Sequence, residues 1–230
     1  MRREKVDYIR RLLVKNGLSP DTILHGYDRC KGCVISCCEK NACAMLPCDF
    51  EKITVKTIKK MVKSGEYMIA VNIVLHSGRD FPMEPVLYVC PREEAAGPVH
   101  LSLLHSKCSK LGEQGCLDDP EKRPTQGLMV IPGKGNEPCI QLVPSLSEEW
   151  APYQGVLKAV VREITKLDAD DLFKSNVFKE LGKLRMKLQK HIYQEQPWTI
   201  NEKIALSMLN QAGLLNVYEE LIYKMVLGVQ

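Results

Sequence analysis

Apolar and polar positions alternate in distinct ways along the chain. Over residues 1–17, Val6, Ile9, Leu12 and Leu13 recur at three- and four-residue spacing among charged residues. That is one face of an amphipathic helix, and Gly17 ends it. Residues 54–63 read as a short helix stopped by Ser64-Gly65. Residues 66–75 and 85–90 are rich in Val, Ile, Leu and Tyr and predict strands, with 99–104 and 128–131 as shorter candidates. Pro132-Gly133-Lys134-Gly135-Asn136 reads as a turn. From Val143 onward the pattern becomes helical. Leu157, Val160, Val161 and Ile164 form one stripe; Phe173, Val177, Leu181, Leu184, Leu188 and Ile192 form another. Thr199 is an N-cap for a helix carrying Ile204, Met208 and Ala212, Gly213 breaks it, and Leu214, Tyr218, Leu221 and Met225 continue as a last helix. The expected fold is therefore α+β: a cysteine-rich region with a small β-sheet over residues 1–143, then a C-terminal helical bundle over residues 144–230, separate or packed on the first.

The composition fits a folded protein, with 45% hydrophobic and 26% charged residues. A net charge of +4 is too mild to argue for nucleic acid. The apolar runs, such as residues 68–75, are far too short to span a bilayer. The segment 1–17 lacks the continuous apolar core of a secretory signal, and Glu4 and Asp7 do not suit a mitochondrial presequence. The expected compartment is the cytoplasm, and that decides how the ten cysteines are read. In a reducing compartment they point to metal or redox chemistry rather than to disulfides. Their distribution agrees: Cys30, Cys33, Cys37, Cys38, Cys43 and Cys48 crowd into one short segment, Cys90, Cys108, Cys116 and Cys139 are spread beyond it, and none follows.

The strongest motif is Cys30-Lys-Gly-Cys33-Val-Ile-Ser-Cys37-Cys38. Two cysteines separated by two residues let a tight turn aim both thiolates at one ion, and Gly32 suits that turn. Cys37, four residues after Cys33, shares its face if the backbone is helical. Cys38 points elsewhere, toward a second metal, the surroundings of the first, or redox pairing with Cys37. Downstream, the glycine-containing loop of Cys108-Ser-Lys-Leu-Gly-Glu-Gln-Gly-Cys116 brings two more thiols together, ahead of Arg123-Pro124, and Cys139 follows a further turn. A pair from each block would build one tetrahedral site. Its negative charge would be offset by Arg29, Lys31, Lys40, Lys107 and Lys110. Cys90, on a strand, reads as a small hydrophobe. Cys43 and Cys48 are open between extra ligands and structural residues.

These two blocks resemble the cysteine-cluster proteins of the YkgJ type, described as zinc- or iron-chelating; a similar region occurs in flagellin lysine N-methylases. The resemblance covers roughly residues 30–139. It implies metal-site roles for Cys30, Cys33, Cys37, Cys38, Cys108 and Cys116, and metal binding more firmly than catalysis. The family usually has another cysteine shortly after the Arg-Pro pair. Here Thr125-Gln126-Gly127 follows, and Cys139 is the candidate to fill that place.

Both zinc and iron–sulfur clusters use four thiolates. The surplus of cysteines leans toward an iron–sulfur cluster or iron, with zinc as the alternative. The functions in view are an iron-dependent, methylase-like enzyme acting on a protein substrate, a structural zinc module in a protein- or nucleic-acid-binding protein, and metal delivery or storage. His105, three residues before Cys108, is the histidine nearest a block, and it reads as an ordinary surface or core residue ahead of a ligand; His191 sits on the polar side of a helix and reads as solvated. Phosphate-loop, dinucleotide and serine-hydrolase motifs are absent from the sequence. The basic stretches of residues 1–17, which include Lys5, and of 174–190 read as solvated helix faces, with nucleic acid or an acidic partner as the sharper alternative. On this reading Cys30→Ser and Cys33→Ser lose metal whereas Cys90→Ala keeps it. Metal analysis of the three purified variants checks this, and unchanged metal in both serine variants removes the motif from the site.

Overall fold

The structure, a computed structural model, describes residues 3–21, 38, 42–74, 84–94, 96–101, 107–113, 115–119, 121–131, 140–174, 203 and 207. The first helix, α1 (Arg3–Lys15), buries Ile9, Leu12 and Leu13 as its periodicity predicts. A 3-10 turn follows at Pro47–Asp49. Helix α2 (Val55–Lys63) starts at Thr54, whose hydroxyl accepts from Thr57 N while Thr57 reciprocates toward Thr54 N. It ends at Ser64, and Gly65 follows with φ +86°, a backbone region that L side chains adopt with strain.

Strands β1 (Tyr67–Val74) and β2 (Glu84–Pro91) form an antiparallel pair, from Tyr67 opposite Pro91 to Val74 opposite Glu84. β3 (Val99–His100) lies parallel to β1 on its other side, giving the order β2-β1-β3. Residues 68–71 and 86–90 are all buried, so both faces of the sheet are covered. This explains their continuous apolar sequence. Two short hairpins follow: β4 (Leu111–Gly112) with β5 (Gly115–Cys116), and β6 (Val130–Ile131) with β7 (Ile140–Gln141). Between them lies a one-turn helix, α3 (Thr125–Leu128). The expected strand over residues 128–131 is thus shorter: Leu128 closes α3, and only Val130 and Ile131 pair. The reason lies far away in sequence. The Asp49 carboxylate accepts from Thr125 N (2.9 Å) and Thr125 Oγ1 (2.6 Å) and caps a helix whose own capping position, Pro124, has no side-chain acceptor.

Beyond Val143, α4 (Leu146–Trp150), α5 (Gln154–Thr165) and α6 (Ala169–Lys174) follow. α4 and α5 pack on the sheet, and α5 also packs on α2. Leu157, Val160 and Val161 join Ile58, Val62 and the strands in one core. Trp150 is fully buried there and donates from Nε1 to Met45 O (2.9 Å). The stripe from Val177 to Ile192 and the helices expected after Thr199 lie outside the described residues, apart from helical backbone at Lys203 and Ser207. Among the described residues, no helix is long and apolar enough to cross a membrane.

The outer edge of β2 is covered by unrelated groups. Gln154 accepts from Leu87 N (3.0 Å) and donates to Leu87 O (2.8 Å), while Met45 N donates to Val89 O (2.8 Å). A strand edge is thereby satisfied without another strand. The expected solvated face of α1 needs one correction. Lys5 is 3% exposed and pairs with Asp49 at 2.7 Å, while also donating to Arg123 O. A buried pair left without one partner is strongly destabilised. Asp49→Ala, which also strips Leu46 N and Thr125 of their acceptor, is expected to cost about 3–5 kcal/mol. Tyr8→Phe, which removes a hydrogen bond to Glu149, is expected to cost about 1 kcal/mol. Urea unfolding of both variants measures the difference, and equal losses would deny the ion pair its special place.

Candidate metal centre

The described cysteines divide by position. Cys90 sits in β2, fully buried in the sheet core. Its thiol is pushed well above the ordinary value, by burial first and then by nearby Glu93 and Cys108. That is the environment of a small hydrophobe. Cys48 follows the 3-10 turn's first residue and donates to Thr125 Oγ1 at 3.5 Å. Burial and the Asp49 charge push its thiol up to about 11.

The other thiols lie at the end of β2. There the backbone of Arg92 and Glu94 bonds to residues 107–109: Glu94 N to Lys107 O (2.8 Å) and Ser109 N to Arg92 O (2.8 Å). This bridge opposes Glu93 to Cys108. Cys108 N donates in turn to Cys38 O (2.7 Å), which holds the first cysteine block against the second. From Cys108 the chain runs into the β4-β5 hairpin, and Cys116 comes back on β5 opposite Leu111. Glu93, 1% exposed, accepts from Ala42 N (3.1 Å) and fixes the segment that carries Cys43. Ala44 N donates to Gln126 Oε1, so α3 adjoins the same segment. At Gly127 a Cβ would stand 3.2 Å from Cys43 Sγ; glycine is what lets the sulfur lie so close to α3.

Electrostatics separates these thiols further. Cys38, in helical backbone, has its pKa lowered, chiefly because it accepts a hydrogen bond from the Cys43 thiol; burial opposes this, and the Arg123 guanidinium lowers it further. Cys116 is raised by burial, with the Asp118 backbone and Arg123 working against the rise. Cys108 is pushed up to about 12 by burial, and the neighbouring Cys38 and Cys116 add to the shift. Arg123 is 5% exposed. It therefore places a desolvated positive charge beside two thiols, where thiolates are stabilised most strongly.

Cys38, Cys108 and Cys116 are thus neighbours. Cys30, Cys33, Cys37 and Cys139 lie outside the described residues, as do His105, Arg29, Lys31 and Lys40. Lys107 and Lys110 are described, and their ammonium groups pair with Glu94, and with Glu66 and Asp118, respectively. Among the described residues, no three His, Cys, Asp or Glu side chains converge into a group that could hold a metal ion. The described part supplies soft donors beside a cation, the kind of chemistry a thiophilic metal uses. Two members were missed in sequence. Arg123 was noted as part of an Arg-Pro pair without its electrostatic role, and Glu93 carried no signal at all. A cavity of about 470 Å³ lies elsewhere, lined by Lys5, Met45, Asp49, Met61, Tyr67, Glu121 and Lys122. Comparison with protein-family models, curated proteins and solved structures finds no match for the chain.

The shifts set an order of thiol ionisation. In chelator-treated protein, Cys38 is expected to alkylate with a midpoint below the ordinary 9.0, and Cys48 near 11. The sign for stability follows. The raised thiols Cys48 and Cys108 stay protonated in the folded protein while the unfolded chain ionises first, so stability is full below pH 9.0 and is lost as pH rises toward 11 and 12. Mass-mapped alkylation across this range checks the order, and Cys48 labelling before Cys38 would reverse it.

Proposed function

We propose that this chain is a thiolate metal-binding protein, with a centre for zinc or an iron–sulfur cluster. Its donors come from Cys38, Cys43, Cys108 and Cys116, together with the upstream Cys30, Cys33 and Cys37. The observation that carries this reading is the gathering of thiols from two blocks, far apart in sequence, beside the buried guanidinium of Arg123. The Arg123 guanidinium favours the thiolate forms of Cys38 and Cys116. The same charge offsets part of the excess negative charge of a four-thiolate centre. The YkgJ-type resemblance rests on the same two cysteine blocks and the same Arg-Pro pair, and it belongs to this proposal.

Within it, the metal acts as a cross-link. Cys38 and Cys43 belong to the N-terminal block, Cys108 to the strand bridge at Glu93, and Cys116 to the β4-β5 hairpin. A metal held by these residues would tie together segments otherwise joined by a few backbone hydrogen bonds. Metal binding then becomes folding free energy for this end of the molecule.

Anaerobic purification, followed by metal and sulfide analysis and an absorption spectrum on one sample, tests the reading. Stoichiometric metal is expected. Iron with sulfide and a broad band near ~400 nm identifies a cluster. A colourless protein with zinc identifies a closed thiolate site. A folded, reduced protein with neither, which takes up neither on reconstitution, overturns the proposal.

A further inference from the structure

The cavity of about 470 Å³ opens where α1, the 3-10 turn, α2 and the start of β1 meet. Its volume lies in the range of small-molecule sites. Its floor is the ion pair of Lys5 and Asp49, whose side chains are 4% and 2% exposed. Met45 is buried beside them, and the partly buried Met61 and Tyr67 form the walls. Glu121 and Lys122, opposite in charge, stand at the exposed rim.

Hydrogen bonding on the floor is uneven. Asp49 already accepts from Lys5, Leu46 N, Thr125 N and Thr125 Oγ1. A carboxylate has about four lone-pair sites, so this acceptor is full. An ammonium carries three N–H donors. Among the described residues, Lys5 has two acceptors for them, Asp49 and the carbonyl of Arg123. The Tyr67 hydroxyl also has no hydrogen-bond partner among the described residues. The inner part of the cavity thus offers donors.

Charge then selects the ligand. The Lys5 charge is matched by Asp49 at 2.7 Å. A ligand anion would leave the buried floor with net negative charge, which desolvation penalises. A ligand cation would meet an ammonium and a carboxylate with no open site. An uncharged oxygen acceptor takes a spare proton and adds no charge. The rest of such a ligand would lie against Met45, Met61 and the Tyr67 ring, and thioether side chains adapt to the shape of apolar ligands. We infer that this cavity binds an uncharged, mainly apolar small molecule bearing one carbonyl-type oxygen. That oxygen accepts from Lys5, with the Tyr67 hydroxyl as a second donor. The site and the proposed metal centre do not rest on each other.

The test titrates the full chain with acetophenone and follows binding by ligand-observed NMR. Ethylbenzene keeps the apolar body and lacks the oxygen; benzoate adds a charge. Acetophenone is expected to saturate with a Kd of about 1 mM or tighter. Ethylbenzene and benzoate are expected to bind at least about tenfold more weakly, because one leaves the donors unmet and the other buries an unmatched charge. Substituting Lys5 would leave Asp49 unpaired and endanger the fold, so the variants are Tyr67→Phe and Met61→Trp, each with its urea midpoint measured. Tyr67→Phe is expected to weaken acetophenone about fivefold, and Met61→Trp to abolish binding by filling the cavity. Ethylbenzene binding as tightly as acetophenone overturns the role of the donors, and tighter binding of benzoate overturns the charge argument. Acetophenone binding that a folded Met61→Trp variant retains lies outside the cavity and overturns the site. An absence of saturable binding overturns it too.

Discussion

The buried carboxylate of Asp49 organises this end of the molecule. It pairs with Lys5 of α1 and accepts from Leu46 N, Thr125 N and Thr125 Oγ1. Four donors from three segments thus meet on two oxygens. A charge this deeply buried is tolerable only when it is paired and fully hydrogen bonded, so the helix, the 3-10 turn and α3 are held to one arrangement. Lys5 carries the constraint onward through the carbonyl of Arg123. Everything the thiol cluster receives from α3 and the two residues before it follows from this: the guanidinium of Arg123, the Gln126 acceptor for Ala44 N, and the space left by Gly127.

A second constraint comes from the sheet. β2 is buried on both faces, and its outer edge must still satisfy its backbone. Gln154 and Met45 serve Leu87 and Val89. Past the strand's end, the pairing passes to residues 107–109. The edge of the sheet therefore becomes the framework on which Cys108 meets Cys38. Electrostatics then sorts the thiols that this framework gathers. Burial keeps Cys90 neutral, while the Cys43 hydrogen bond and Arg123 favour the Cys38 thiolate. A neutral, buried thiol packs, and an ionised one beside a cation reacts or ligates. The same side chain thus has different chemistry at neighbouring positions.

Much of the architecture was legible because it is local. The stripe Ile9, Leu12, Leu13, the Thr54 cap with its Gly65 stop, and the two apolar strand runs each announce themselves within a few residues, and each forms. Cys90 was legible too, since a cysteine inside an apolar strand run has no neighbour to make it reactive. The one-turn helix α3 was not, because a short apolar run is ambiguous between helix and strand and Asp49 decides the matter from a distant turn. Lys5 looked like one more charge on a basic face, and nothing in its neighbourhood says that a carboxylate awaits it.

The sequence alone thus determined the periodic elements and the supply of thiols, because backbone periodicity and side-chain type are properties of adjacent residues. Tertiary structure decided which charges are buried, which edge of the sheet carries Cys108 to Cys38, and which side chains surround those thiols. The reason is physical: the free energy of a buried charge or thiol depends on its partners and on the loss of water around it. For this chain those partners lie far away in sequence, between Lys5 and Asp49, Asp49 and Thr125, and Cys38 and Arg123.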